Sequence, residues 1–267
     1  TGVVPSGWSV YMAYAAKSWT TTRTLTSNQL NVSHSDCGTP GFTVSESSRT
    51  VSESGSTQTF TVVLTGEPSS NVVIDVASSD TGEATVSASS LTFTSSNWDI
   101  AREVVVTGIN DDVDDGNQTS TVTLSVNDAS SDDTFDSLAN QTVSVTTTDN
   151  DTVGFTLSGT TASVSETETT DTFTVVLNSE PTDDIMLAIV SSDAGEATAS
   201  PAFLTFTSTN WNTAQTVTVT GVDDTASDGN QLTDVTVSVL NWSSASLAWA
   251  AQGIQAVAVT TADDDSA

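Results

Sequence analysis

The segment Thr59-Phe60-Thr61-Val62-Val63-Leu64 occurs again as Thr172-Phe173-Thr174-Val175-Val176-Leu177, and it belongs to a whole register of such pairs. Gly41-Phe42-Thr43 returns as Gly154-Phe155-Thr156, Val51-Ser52-Glu53 as Val164-Ser165-Glu166, and Glu67-Pro68 as Glu180-Pro181. Gly82-Glu83-Ala84-Thr85, Asn97-Trp98 and Asp115-Gly116-Asn117-Gln118 have counterparts at 195–198, 210–211 and 228–231. Every pair is 113 residues apart, as 41 is from 154. Chance does not hold one offset over a whole domain, so the chain is expected to fold as two copies of one unit. The expected boundaries are 41–151 and 152–267, with residues 1–40 as a separate N-terminal extension.

Within each copy the hydrophobic period is two. Phe60, Val62 and Leu64 alternate with Thr59, Thr61 and Val63, and Val104 to Thr107, Thr121 to Leu124 and Thr142 to Val145 alternate in the same way. Threonine and valine dominate these runs, and their branched Cβ atoms suit half-buried strands. Turn clusters such as Thr65-Gly66-Glu67-Pro68 and Asp114-Asp115-Gly116-Asn117 punctuate them. No stretch sustains a helical period. The expectation is an all-β chain: two tandem Greek-key, Ig-like sandwiches of about seven strands each, with an N-terminal β extension. Trp98 and Trp211 each follow a turn and open a strand, which marks them as core or edge plugs.

Thirty-four acidic residues face only four basic ones, for a net charge of −30. Phosphate would be repelled, which excludes nucleic acid as a partner and disfavours anionic membranes. No apolar run approaches the length of a membrane helix. Cys37 is the only cysteine and His34 the only histidine, so an intrachain disulfide and a thiolate zinc site are both excluded. The chain has no Gly-x-Ser-x-Gly elbow, phosphate-cradling glycine loop or His-Glu-x-x-His, and the expectation is that it is not an enzyme. Asn-x-Ser/Thr sequons stand at Asn31, Asn117, Asn140, Asn150 and Asn241, as a secreted or cell-surface protein allows.

The acids gather where strands end. In the first copy they are Glu53, Asp111-Asp112-x-Asp114-Asp115 and Asp149-Asn150-Asp151; in the second, Glu166, Asp223-Asp224 with Asp228, and Asp263-Asp264-Asp265. Loops from alternate strands of a sandwich meet at one pole, so acids distant in sequence can converge. Two unit charges 4 Å apart repel by about 1 kcal/mol in water and about 4 kcal/mol at an effective dielectric of 20. A hard divalent cation taking oxygen ligands offsets that repulsion, and Ca²⁺ tolerates the irregular geometry of loops better than Mg²⁺. The competing reading is a solvated acidic surface, which predicts acids spread over faces instead of stacked at strand ends.

A Val-Ser-Glu opening, paired acids followed by Asp-Gly before a β-strand, and a terminal Asp-x-Asp resemble the Calx-β family over 41–151 and 154–265. The resemblance implies seven-stranded sandwiches with Ca²⁺ at one pole. By position its ligands would be Glu53, Asp111, Asp112, Asp115, Asp149 and Asp151, then Glu166, Asp223, Asp224, Asp228, Asp263 and Asp265. Asp80 and Asp193, in the Ser-Asp-x-Gly-Glu turns, are secondary candidates. The chain departs from the family at Gln118 and Gln231, where a second acid is usual, and in lacking its Gly-x-Asp-Tyr segment. Thr225 stands in the place of Asp112, so the second copy is expected to bind an ion more weakly.

Residues 1–40 differ from the rest. They carry two cations and one anion, against two cations and 33 anions in the remainder. They parallel the end of a copy, as if the front of a third module were missing. One reading is a piece cut from a longer array. The other is a subunit that joins copies of itself head to tail, with Trp8, Tyr11, Tyr14 and Trp19 entering another copy's sheet. A self-assembling extracellular filament or matrix protein is the leading functional expectation. A calcium-dependent adhesin that binds cell-surface glycans or proteins, through the ion or through exposed Trp242 and Trp249, is the alternative.

Overall fold

A computed structural model describes residues 38–240 and 248–265. The chain divides into Thr1–Thr39 and Pro40–Ala267, and all the described strands lie in the second unit. Trp8, Tyr11, Tyr14, Trp19 and Trp242 fall outside the described residues. The first nine strands are β1 (Phe42–Val44), β2 (Ser48–Ser52), β3 (Thr57–Leu64), β4 (Val72–Ser78), β5 (Ala84–Val86), β6 (Ser90–Phe93), β7 (Arg102–Gly108), β8 (Gln118–Val126) and β9 (Gln141–Thr148). The next nine repeat them: β10 (Phe155–Leu157), β11 (Thr161–Ser165), β12 (Thr170–Leu177), β13 (Ile185–Ser191), β14 (Ala197–Ser200), β15 (Phe203–Phe206), β16 (Gln215–Gly221), β17 (Gln231–Val239) and β18 (Gln255–Ala262).

Each set forms one sandwich. In the first, a four-stranded sheet ordered β1-β3-β7-β5 faces a five-stranded sheet ordered β2-β9-β8-β4-β6. In the second, β10-β12-β16-β14 faces β11-β18-β17-β13-β15. All pairings are antiparallel except β2 with β9 and β11 with β18, which are parallel. Among the described residues each module thus has nine short strands where about seven were expected. The reason is that two runs change sheets. β1 pairs with β3, then the chain breaks at Ser45 to Ser47 and continues as β2 beside β9; β5 and β6 divide between β7 and β4 in the same manner. Such switches close the corners of a sandwich and seal both sheets around one core.

The two-residue period puts Phe60, Val62, Leu64, Val104, Val106, Val122 and Leu124 inside the first module and Phe173, Val175, Leu177, Val217, Val219, Val235 and Val237 inside the second. Trp98 and Trp211 pack half-buried against these cores, and their carbonyls accept the Leu64 and Leu177 N–H groups. Trp249, expected at an exposed binding surface, is instead 3% exposed in the second core. Like buried Phe135 of the first module, it lies between the last two strands of its module, and a ring of that size is worth more to the core than to the surface. Among the described residues no helix is long and apolar enough to cross a membrane.

Candidate metal centres

The end of β2 delivers Glu53 into the interior. Ser56 Oγ accepts the Ser52 N–H at 2.7 Å, Gly55 (φ 83°) turns the chain, and Glu53 N–H donates to Thr148 O at 3.2 Å. Glu53 is 1% exposed, as is its counterpart Glu166. Its Oε2 accepts the Asn150 N–H at 3.3 Å, while Oε1 is buried with no hydrogen-bond partner among the described residues.

Strand β9 ends at the same pole and hands over to Asp149-Asn150-Asp151. Asp149 is fixed from both sides: Oδ1 accepts the Asp151 N–H at 2.6 Å and Oδ2 accepts the Gly116 N–H at 2.7 Å. Gly116 has a φ of 75°, a backbone state open to glycine, and this turns its N–H towards the carboxylate. Gly229 (φ 76°) repeats the arrangement, donating to Asp263 Oδ2 at 2.6 Å.

Two triads of carboxylates result in the first module. Glu53, Asp149 and Asp151 each offer an oxygen within 4.8 Å of the others, and so do Glu83, Asp111 and Asp115. In the second module Glu166, Asp264 and Asp265 form such a triad. Asp264 stands where the first module has Asn150, so the second module loses an acid at Thr225 and gains one here. Asp263 braces this triad from behind, accepting the Asp265 N–H at 2.8 Å.

Several of the sequence candidates lie at these poles without joining a triad. The Asp112 carbonyl accepts the Glu180 N–H at 2.6 Å, and its carboxylate adds to the negative field at Asp151. Asp223 acts in the same way on Asp265. Asp224 and Asp228 surround Glu196, and Asp224 Oδ1 also accepts the Ala226 N–H at 2.6 Å. Asp80 and Asp193 hold turns, accepting the N–H groups of Gly82 and Gly195 at 2.9 Å, while contributing charge near Glu83 and Glu196.

Glu83 and Glu196 were not among the sequence candidates. Both stand immediately before a strand, in the repeated Gly-Glu-Ala-Thr turn, and that repeated acid was the signal available. Each has a buried Oε2 with no hydrogen-bond partner among the described residues. Asp265 Oδ2 is in the same condition. Burial is the largest influence on Glu53, Glu83, Asp151, Glu166, Glu196 and Asp265, and it raises their pKa above the ordinary carboxylate range; the neighbouring acids raise it further. Among the described residues the one ion pair, Arg49 with Glu46 at 3.4 Å, touches none of them.

Buried carboxylate oxygens with no donor cost free energy, and native chains rarely leave them so. Donors of this kind, all oxygen, several per site, from irregular loops, fit a Ca²⁺ ion and not a thiol- or imidazole-seeking metal. A solvated acidic surface does not account for glutamates sealed inside the pole.

No protein-family model matches the chain, and no curated protein matches it. Among solved structures it is similar to the calcium binding domain CBD12 of CALX1.1, at 14% identity over 73% of this chain and 77% of that one, with a TM-score of 0.31. It is also similar to domains 4 and 5 of the S-layer protein SbsC, at 16% identity over 77% and 82%, TM-score 0.35. SSP-19, an MSP-domain protein-like family member of Caenorhabditis elegans, shares 16% identity over 40% of this chain and 99% of its own, TM-score 0.30.

Proposed function

We propose that the chain is a non-enzymatic extracellular structural protein whose two sandwiches take up Ca²⁺ at their acidic poles and which joins copies of itself head to tail into a filament or matrix. The observation carrying the calcium reading is the recurrence, in both modules, of buried carboxylate oxygens that no described residue satisfies. Glu53, Asp149 and Asp151, Glu83, Asp111 and Asp115, and Glu166, Asp264 and Asp265 are the residues that would hold the ion. Bound Ca²⁺ supplies the positive charge that these oxygens lack.

The first pole is also the joint. Val153, between the modules, donates its N–H to Asp114 Oδ2 at 2.8 Å, and Glu180 of the second module donates to Asp112 O. Ordering the loop 109–117 around an ion therefore orders the link, which is what a load-bearing array requires. The N-terminal segment, near neutral and rich in aromatic residues, is the part of the chain best suited to approach another copy.

Calcium binding stabilises by RT ln(1 + [L]/Kd), about 2.7 kcal/mol at a hundredfold excess over Kd. EGTA should therefore lower the melting temperature, and an unchanged melt would sink the calcium reading. Negative-stain images with and without chelator test the polymer. Deleting residues 1–36 should leave soluble, folded monomers; assemblies that survive the deletion would end the head-to-tail reading.

A further inference from the structure

One sheet face of the second module carries apolar side chains at several positions where its twin has hydroxyls or a carboxylate, while Thr205, Thr236, Ser238 and Thr260 keep their hydroxyls and Asp234 replaces Thr121. The outward residues of the first module's five-stranded sheet include Val73, Asp75 and Ala77 on β4, Ser90 on β6, Thr119 on β8 and Thr142 and Ser144 on β9. At the same register the second module has Met186, Ala188, Val190, Phe203, Leu232, Ala256 and Ala258. These positions lie on neighbouring strands: Phe203 pairs with Ala188, which is 7% exposed, and Thr236 stands between Val190 and Ala256. Ile254 stands one residue before Gln255, which pairs with Val237. Val190, Phe203, Ile254 and Leu232 are 55%, 54%, 70% and 79% exposed. On the strands of this face Asp234 is the one outward carboxylate, as Asp75 is on its twin, so the two faces differ in apolarity and not in charge. The shared fold gives an internal control: nothing in sandwich packing asks for an apolar exterior here, because the first module does without it.

We infer that this face receives residues 1–37 of a second copy. The reading rests on the self-association proposed above and names the surface that completes it. Two chains of charge −30 repel wherever their acidic surfaces meet. Residues 1–37 hold two of the four cations, Lys17 and Arg23, against the single Asp36, and both tyrosines and two of the six tryptophans. The least acidic, most aromatic stretch thus matches the more apolar of the two equivalent faces. Contact is through the face and not the edge of β15, where Thr205 O already accepts Gln215 Nε2 at 2.8 Å. Segment and receiving face are different surfaces, so the contact is heterologous and propagates.

The test uses the full chain and sedimentation over a range of concentrations. The face variant carries Val190→Ala, Phe203→Ser and Leu232→Thr, which are the first module's own residues at those exposed positions. The segment variant carries Trp8→Ser, Tyr11→Ser, Tyr14→Ser and Trp19→Ser. Each alone should weaken association by about tenfold or more. Mixed together they should form dimers and nothing longer, because only one junction per pair has both an intact segment and an intact face. If the face variant associates as the parent does while the segment variant does not, the face is wrong and self-association stands. If the parent is monomeric at every concentration, or compacts without concentration dependence, both fail. Near-identical melts of parent and face variant exclude misfolding as the cause.

Discussion

Gly108 lies directly against Ser52: a Cβ on this glycine would stand 2.2 Å from the Ser52 carbonyl oxygen. Gly221 and Ser165 repeat the relationship, at 2.1 Å. The end of β7 thus passes beneath the turn that follows β2, and that turn carries Glu53. Gly108→Ala should cost about 1–3 kcal/mol through forced displacement of backbone, and should weaken calcium binding by the first module. Gly55→Ala is the comparison, since nothing lies within 4 Å of it and only its φ of 83° is at stake. Calorimetry of both variants checks this; equal losses would show that the close approach is unimportant.

Glu53→Gln keeps the shape of a buried side chain and removes its charge. The metal-free protein should become more stable, while calcium affinity falls by about tenfold or more. Glu83→Gln should behave alike. Isothermal titration with Ca²⁺ and thermal melts in EGTA separate the two effects. A Glu53→Gln protein that binds calcium as the parent does would remove Glu53 from the site.

The raised carboxylates make the metal-free chain sensitive to pH in a definite direction. Glu53, Glu83, Asp151, Glu166, Glu196 and Asp265 keep protons in the folded state that the unfolded chain releases at its ordinary carboxylate pKa of about 4. Folding stability should therefore fall as pH rises from that value through the raised ones. Denaturant melts in EGTA between mildly acidic and neutral pH should show the decline, and saturating Ca²⁺ should abolish it. A flat metal-free profile would show that these groups titrate normally.

Asp132 works in the opposite sense. Its Oδ2 accepts Ser69 N–H (2.6 Å), Ser69 Oγ–H (2.7 Å) and Ser70 N–H (3.1 Å), and its Oδ1 accepts the N–H and hydroxyl of Thr134. These bonds hold its carboxyl far below the usual range. The stability it contributes is present above the unfolded pKa and disappears as pH falls through the lowered one. Asp132→Ala should strand buried donors at a cost of about 2–3 kcal/mol, and should flatten the acid limb of the stability profile. An acid limb identical to the parent's would refute the assignment.

Some of this was legible in the residues. The strand interiors Phe60, Val62 and Leu64 follow from alternation, and their reappearance at Phe173, Val175 and Leu177 follows from the 113-residue offset. Glu53 and Glu166 could be picked out because each follows a Val-Ser strand end. Glu83 escaped because a lone acid in a turn looks like any solvated one. Trp249 escaped for a related reason: the loop that bears it has no counterpart motif, so only packing reveals that it belongs to the core.

The residue order alone determined the duplicated all-β architecture, because side-chain periodicity and the offset between copies are one-dimensional properties. Which acids share a site, which of their oxygens lose water, and which apolar residues gather on one sheet face were decided by tertiary structure. Those depend on how the turns after β2 and β4, the loop after β7 and the segment after β9 fold over the same end of the sandwich, and desolvation exists only once they have met.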